Sequence, residues 1–201
     1  MRKSVLVAIA ILICTASAGT LPGLAQTTTT TGTVQELGAF TYYNFLSSDG
    51  TTTSGTSQKL GPFTYYNFNK TGTSAGQFGS STTTGTSQKL GPFTHYNLHS
   101  TGTEAGRYKS SATTGTSHEL GSFTYYNFNT TGAEAGRHER STTTGSSYKL
   151  GSFEYFDLRS SDGSSASGSV YSLGSTNYWN GDETEPTETD DNPFGSLWDN
   201  D

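Results

Sequence analysis

Few side chains in this chain are able to do chemistry, and their spacing argues against most of it. The histidines are His95, His99, His118 and His138, and no pair of them stands at a metal-binding interval from a second class of ligand. No Ser-His-Asp arrangement, nucleophile elbow or phosphate-binding loop is present. Asp49-Gly50 and Asp162-Gly163 lack the repeated aspartates of a calcium-binding roll and read as tight turns. These patterns lead us to expect no enzyme, no metal and no cofactor. Aromatic side chains stand out instead. Phe63, Tyr65, Phe93, Phe123 and Tyr125 recur at matched positions, and an aromatic face offers apolar contact to a sugar ring or to a second copy of itself. They form the candidate glycan-binding or self-association face.

The elements that position these aromatics are tandem repeats. The unit Gly55-Thr56-Ser57-Gln58-Lys59-Leu60-Gly61-Pro62-Phe63-Thr64-Tyr65-Tyr66-Asn67-Phe68 returns from Gly85, Gly115 and Gly145, with looser copies from Gly32 and Gly168. Its leucines, Leu37, Leu60, Leu90, Leu120, Leu150 and Leu173, are separated by 23, 30, 30, 30 and 23 residues. The shorter units turn through Asp49-Gly50 and Asp162-Gly163, strong tight-turn signals. The longer ones replace that turn with excursions over residues 69–81, 100–111 and 130–141. Residues 26–181 show no helical period. Their short Thr-, Tyr- and Phe-rich segments, punctuated by Gly, read as strands.

Side chains alternate across a strand, so Phe63 and Tyr65 share one face while Tyr66 and Phe68 share the other. The column Tyr43, Tyr66, Tyr96, Tyr126, Phe156 and Trp179 and the column Phe45, Phe68, Leu98, Phe128 and Leu158 keep large apolar members. Together with the repeat leucines they are the expected interior. The column that admits His95 in place of Tyr suits an exposed face. Equal spacing with a tolerated seven-residue insertion at one corner predicts an all-β, β-solenoid-like stack of six rungs. The alternative is an antiparallel β-hairpin array. Thr82, Thr84 and Thr86 share a strand face, which is also an ordinary use of Thr on a solvent-facing strand.

Outside the repeats, residues 1–25 read as a signal peptide. Arg2 and Lys3 precede an apolar run over residues 5–13, followed by small residues with cleavage sites after Ala18 or Ala25. The run is too short to cross a bilayer, which takes about 20 residues. The single cysteine, Cys14, lies inside this segment, so cleavage leaves no thiol for a disulfide or a thiolate site. The short leader is bacterial in style. It predicts a secreted, periplasmic or extracellular protein with no membrane span after cleavage.

Composition bounds the rest. Of 201 residues, 30% are hydrophobic, and Gly, Thr and Ser fill nearly half of the chain, which leaves no material for an aliphatic α/β core. The 12% aromatic content is too high for a plain linker. Net charge is -6, and residues 182–201 carry acids and no base. That stretch reads as an acidic disordered tail after a six-repeat β domain over residues 26–181. Its residues 192–198, Asn-Pro-Phe-Gly-Ser-Leu-Trp, offer a docking motif to a protein partner. A neutral repeat body lacks the basic surface that nucleic acid requires.

The repeat resembles short tandem repeats of small secreted bacterial proteins of unknown function, over residues 32–180. More loosely, Tyr42-Tyr43-Asn44-Phe45 with Asp49-Gly50 is similar to the choline- and glucan-binding repeats of surface proteins. However, Thr33, Thr56, Thr86, Thr116, Ser146 and Ser169 stand where the ligand-cage Trp of those repeats is expected. The first resemblance implies export and little more. The sequence thus leads to an exported, non-enzymatic protein with a structural or adhesive role at the cell surface or matrix. It would self-associate through strand edges and aromatic ladders. The alternative is a carbohydrate-binding module that takes surface glycans on the exposed aromatic columns.

Overall fold

The computed structural model describes residues 27–74, 77–104, 106–134 and 137–184. They form twelve strands: β1 (Thr27–Leu37), β2 (Phe40–Ser47), β3 (Thr52–Leu60), β4 (Phe63–Ser74), β5 (Gln77–Leu90), β6 (Phe93–Glu104), β7 (Arg107–Leu120), β8 (Phe123–Glu134), β9 (Arg137–Leu150), β10 (Phe153–Ser160), β11 (Ser165–Leu173) and β12 (Thr176–Thr184). Each repeat supplies two strands, because the Leu-Gly pair is a chain reversal. Gly38, Gly61, Gly91, Gly121, Gly151 and Gly174 adopt φ between 59° and 63°, a conformation that Gly reaches without a Cβ penalty. In Gly61-Pro62 and Gly91-Pro92 this places Gly first in a two-residue hairpin loop, and Leu60 pairs directly with Phe63. All six Leu-Gly turns therefore lie at one end of the molecule, the turn end.

At the opposite end, β2–β3 and β10–β11 reverse tightly. Asp49 accepts hydrogen bonds from the Thr51 amide (2.8 Å) and hydroxyl (2.9 Å). Burial pushes the Asp162 carboxyl up, but donation from the Ser164 hydroxyl (2.6 Å) and amide (2.9 Å) outweighs it and holds the group below its ordinary range. The longer units do not bulge here. Their extra residues pair with one another, from Asn69↔Thr82 to Ser74↔Gln77, and so lengthen both strands of the hairpin.

Neighbouring strands are antiparallel throughout, and β1 pairs with β12 over Thr27↔Thr184 to Gln35↔Thr176. The result is a closed twelve-strand barrel. It is neither a solenoid of six rungs nor an open array of hairpins. The rung reading fails because each unit reverses direction at Leu-Gly, and the inserted residues extend a hairpin where a solenoid would place a corner. Closure also overturns the structural and adhesive role based on lateral association. The pairing of β1 with β12 leaves no unpaired strand edge among the described residues, so edge-to-edge growth has no template. The strand β12 runs through Asp182 and Glu183 to Thr184. The signal segment and the rest of the acidic tail lie outside the described residues.

The core is built from alternation. Tyr43, Tyr66, Tyr96, Tyr126, Phe156 and Trp179 face inward, and one strand step deeper come Phe45, Phe68, Leu98, Phe128 and Leu158. The second group lies over the repeat glycines. A Cβ on Gly55 would collide with the ring of Phe68, and one on Gly115 with the ring of Phe128. Glycine there is what gives each ring room against the opposing backbone. The rings touch around the circumference: Tyr43 meets Phe68 edge-on at 4.9 Å, Tyr96 meets Phe128 at 5.4 Å, and Phe156 stacks on Trp179 at 4.4 Å. Each buried phenol finds a serine across the strand pair, with Tyr43–Ser57 at 3.0 Å, Tyr66–Ser87 at 2.9 Å, Tyr96–Ser117 at 3.2 Å and Tyr126–Ser147 at 3.1 Å. A full aromatic burial contributes about 2–3 kcal/mol, so this layer is the main source of stability in a chain poor in aliphatics.

Candidate functional site

The two interior columns are inside as expected, but the leucines are not. Leu37, Leu60, Leu90, Leu120, Leu150 and Leu173 are 52–60% exposed. They sit on the outward face at the turn end, where five of them pair with the outward Phe that opens the following strand and Leu173 pairs with Thr176. Phe40, Phe63, Phe93, Phe123 and Phe153 complete the same rim. One strand step back on the outer wall come Tyr42, Tyr65, Tyr125, Tyr155 and Tyr178, with His95 at the sixth position. A further step brings Asn44, Asn67, Asn97, Asn127 and Asn180, alternating with Thr33, Thr56, Thr86 and Thr116. The outer wall thus grades from leucine and phenylalanine through tyrosine to asparagine and threonine. The turn end carries an apolar crown around its whole circumference, while Leu46, Phe78 and Tyr108 are exposed on the wall toward the opposite end.

Backbone hydrogen bonds hold this crown in shape. Each turn carbonyl accepts from the strand of the neighbouring unit. The bonds run Lys59 to Ala39, Lys89 to Pro62, Glu119 to Pro92, Lys149 to Ser122, Ser172 to Ser152 and Glu36 to Ser175, at 2.8–2.9 Å. These six bonds form a closed ring. The rim is a rigid circle whose plane crosses the barrel axis.

Charge is segregated in the opposite sense. Among the described residues, the charges at outward strand positions are Arg140, Asp157, Arg159 and Asp182, and Arg159 lies 3.7 Å from Asp157. Inside the mouth, one step behind the leucines, the inward positions hold Glu36, Lys59, Lys89, Glu119, Lys149 and Glu154. Lys89 makes a two-pronged contact with Glu119, both oxygens at 2.8 Å. Buried Glu154 accepts from Ser147 at 2.6 Å. Below this layer the lumen is filled. Phe68 and Leu158 are each 1% exposed and Tyr43, Tyr66, Tyr96 and Tyr126 are buried, so no water-wide channel passes between them. Burial pushes the Tyr66 phenol up to about 12, against the pull of Ser87 and Thr64. The same desolvation lifts Tyr43, Tyr96 and Tyr126, with the Glu154 carboxylate adding to the shift at Tyr126.

Of the residues singled out from the sequence, Phe63, Tyr65, Phe93, Phe123 and Tyr125 are all exposed members of the crown. They do not form a platform for a sugar chain. Equivalent rings are two strands apart, about 9–10 Å, on a convex wall, so their faces turn away from one another. Some of these rings are moreover overlaid in part by the next strand: His118 stacks on Phe93 at 4.4 Å and Tyr148 lies on Phe123 at 4.7 Å, as Tyr171 lies on Phe153 at 4.9 Å. The carbohydrate-binding reading is therefore set aside with the adhesive one. His95 and His99 are exposed and His118 is half-buried, while the side chain of His138 lies outside the described residues. Among the described residues no three His, Cys, Asp or Glu side chains converge on a metal-sized site. Sequence reading missed the exposed leucines. The available signal was Leu-Gly-x-Phe flanked by alternating residues, which is a hairpin pattern.

No protein-family model matches the chain, and no curated protein matches it. Solved structures give distant likenesses. The chain is similar to a bacterial polysaccharide outer membrane secretin, with a TM-score of 0.38 and 6% identity over 83% of this chain and 99% of that one. It is also similar to the translocator domain of the autotransporter NalP from Neisseria meningitidis, with a TM-score of 0.32 and 13% identity over 88% and 91%.

Proposed function

We propose that this protein is a non-conducting β-barrel of the bacterial cell envelope that seats its turn end in a lipid surface. The observation that carries the reading is the complete ring of exposed leucines at the Leu-Gly turns. An exposed apolar patch of this size marks an interaction surface. Because the ring surrounds the axis, a single flat surface lying across that axis contacts every member, and a partner docked on one side of the wall does not.

The grading of the wall matches a bilayer interface. Leucine and phenylalanine at the tip suit the acyl boundary, tyrosine suits the headgroup level, and asparagine and threonine suit water. Two residues of strand advance about 6–7 Å, so the apolar tiers reach roughly 5–10 Å deep, the depth of an interfacial anchor. A spanning barrel instead carries an outward apolar band about 25 Å tall. Here the asparagine ring stops insertion well short of that. Lys89 and Glu119 engage each other inside the mouth, so this pair is not carried on the outer wall that meets the acyl chains. The filled lumen supports a barrel that anchors and does not conduct.

The test is flotation of the mature protein with phosphatidylcholine vesicles. Wild type is expected to float with the vesicles, and L60D/L90D/L120D to stay in the aqueous fraction with an unchanged far-UV spectrum. Wild type remaining in the aqueous fraction would overturn the proposal.

A further inference from the structure

We infer that the crown carries a binding site for the phosphate of an anionic lipid headgroup at His95 and His118, and that acid strengthens it. The inference rests on the lipid-seating reading above and names the lipid. In the tyrosine tier, β6 substitutes His95, and on β7 the position that is glutamine on β1, β3 and β5 is His118. His118 pairs with Phe93 on one side and Tyr125 on the other, and His95 pairs with Gln88 and Thr116. The two imidazoles are diagonal neighbours on one outward face, a separation that long side chains bridge.

The surroundings make these imidazoles decisive. The outward neighbours from β5 are Thr86 and Gln88, from β7 Thr116, and from β8 Phe123 and Tyr125. None of them is a carboxylate, an ammonium or a guanidinium. Lys89 and Glu119 point to the lumen on the other side of the sheet and engage each other. Imidazole is the side chain suited to gaining charge in mild acid, and here two of them share one outward face that holds no other charged side chain. The Phe93 ring, already stacked at 4.4 Å and 11°, holds the His118 imidazolium by a cation–π contact. Tyrosine-tier groups lie at headgroup depth, where the phosphates of a seated membrane lie. His99, four residues along β6, stands beyond the Asn97 tier and outside the site.

Each cation near an anionic surface strengthens association about fivefold, so two give roughly tenfold to thirtyfold. The experiment is flotation with phosphatidylcholine vesicles and with phosphatidylcholine–phosphatidylglycerol vesicles, each at about pH 5 and about pH 8. Wild type is expected to bind the anionic vesicles about tenfold more tightly at the lower pH, with no such gain on phosphatidylcholine alone. H95Q/H118Q, which at position 118 installs the glutamine used on β1, β3 and β5, loses the gain and keeps the phosphatidylcholine binding. H99Q behaves as wild type. An equal acid gain in H95Q/H118Q, or no gain in wild type, overturns the inference while leaving the crown reading intact. Absence of binding to either vesicle at either pH removes the crown reading itself.

Discussion

Gly115→Ala tests the interior arrangement most sharply. A Cβ at this position collides with the Phe128 ring and lies 2.6 Å from the Asn127 carbonyl oxygen. Neither can yield. The carbonyl belongs to the sheet, and Phe128 is 2% exposed, stacked on Tyr126 at 6.3 Å and edge-on to Tyr96 at 5.4 Å. Overpacking of this kind costs about 1–3 kcal/mol. Gly132 is the internal control. It also lies on an inward strand position, but the nearest atoms to its added Cβ are Ser110 O at 3.5 Å and Ser111 Cβ at 3.8 Å, ordinary contacts. There the loss of unfolded-chain freedom dominates, and alanine is worth about 0.4–1 kcal/mol in favour of folding. For a chain of this length 1 kcal/mol moves the melting temperature by roughly 2–4 °C. G115A is expected to melt about 5 °C below wild type and G132A at or slightly above it, followed by near-UV circular dichroism of the buried tyrosines. Equal melting of G115A and wild type, or equal loss in both variants, would refute the ring-over-glycine packing and with it the inward parity of these strands.

The buried phenols predict alkaline instability. With the Tyr66 phenol raised to about 12, the unfolded chain loses its proton first, so stability is intact below about pH 10 and falls between 10 and 12. Tyr66 alone accounts for about 3 kcal/mol of that fall, at roughly 1.4 kcal/mol per unit, and urea midpoints measured across this range check it. Ser87→Ala leaves the buried Tyr66 hydroxyl without its 2.9 Å partner and should cost about 1–3 kcal/mol. Tyr66→Phe combined with Ser87→Ala should cost less than the sum of the two single changes, as a double-mutant cycle would show. Leu60→Asp, Leu90→Asp and Leu120→Asp together should weaken vesicle binding about a hundredfold, since each half-exposed leucine contributes about 1 kcal/mol on burial, with the melting temperature held within a few degrees. The wild-type barrel added to a planar lipid bilayer should give no single-channel steps. Steady conductance would show that the aromatic layer does not close the lumen.

The sequence by itself determined the local chemistry. The repeat spacing located every Leu-Gly pair without marking it as a turn, the alternation separated Phe63 and Tyr65 from Tyr66 and Phe68, and the composition excluded an aliphatic core. The buried columns could be read from their large apolar substitutes, since only an interior position keeps Leu98 or Trp179 where its neighbours are Phe or Tyr. Two things were decided by tertiary structure. One was whether each unit stacks in parallel or reverses, because strands of the same composition pair either way and only the long-range register, such as Asn69↔Thr82, settles it. The other was closure. Whether strand twelve meets strand one depends on the twist accumulated over the whole sheet, which no single repeat encodes. Closure carried the functional consequences. It removed the edges on which self-association relied and bent the aromatic columns around a convex wall. It also turned six leucines that resembled core into an exposed rim, because the side of a hairpin that faces inward is set by the curvature of the barrel.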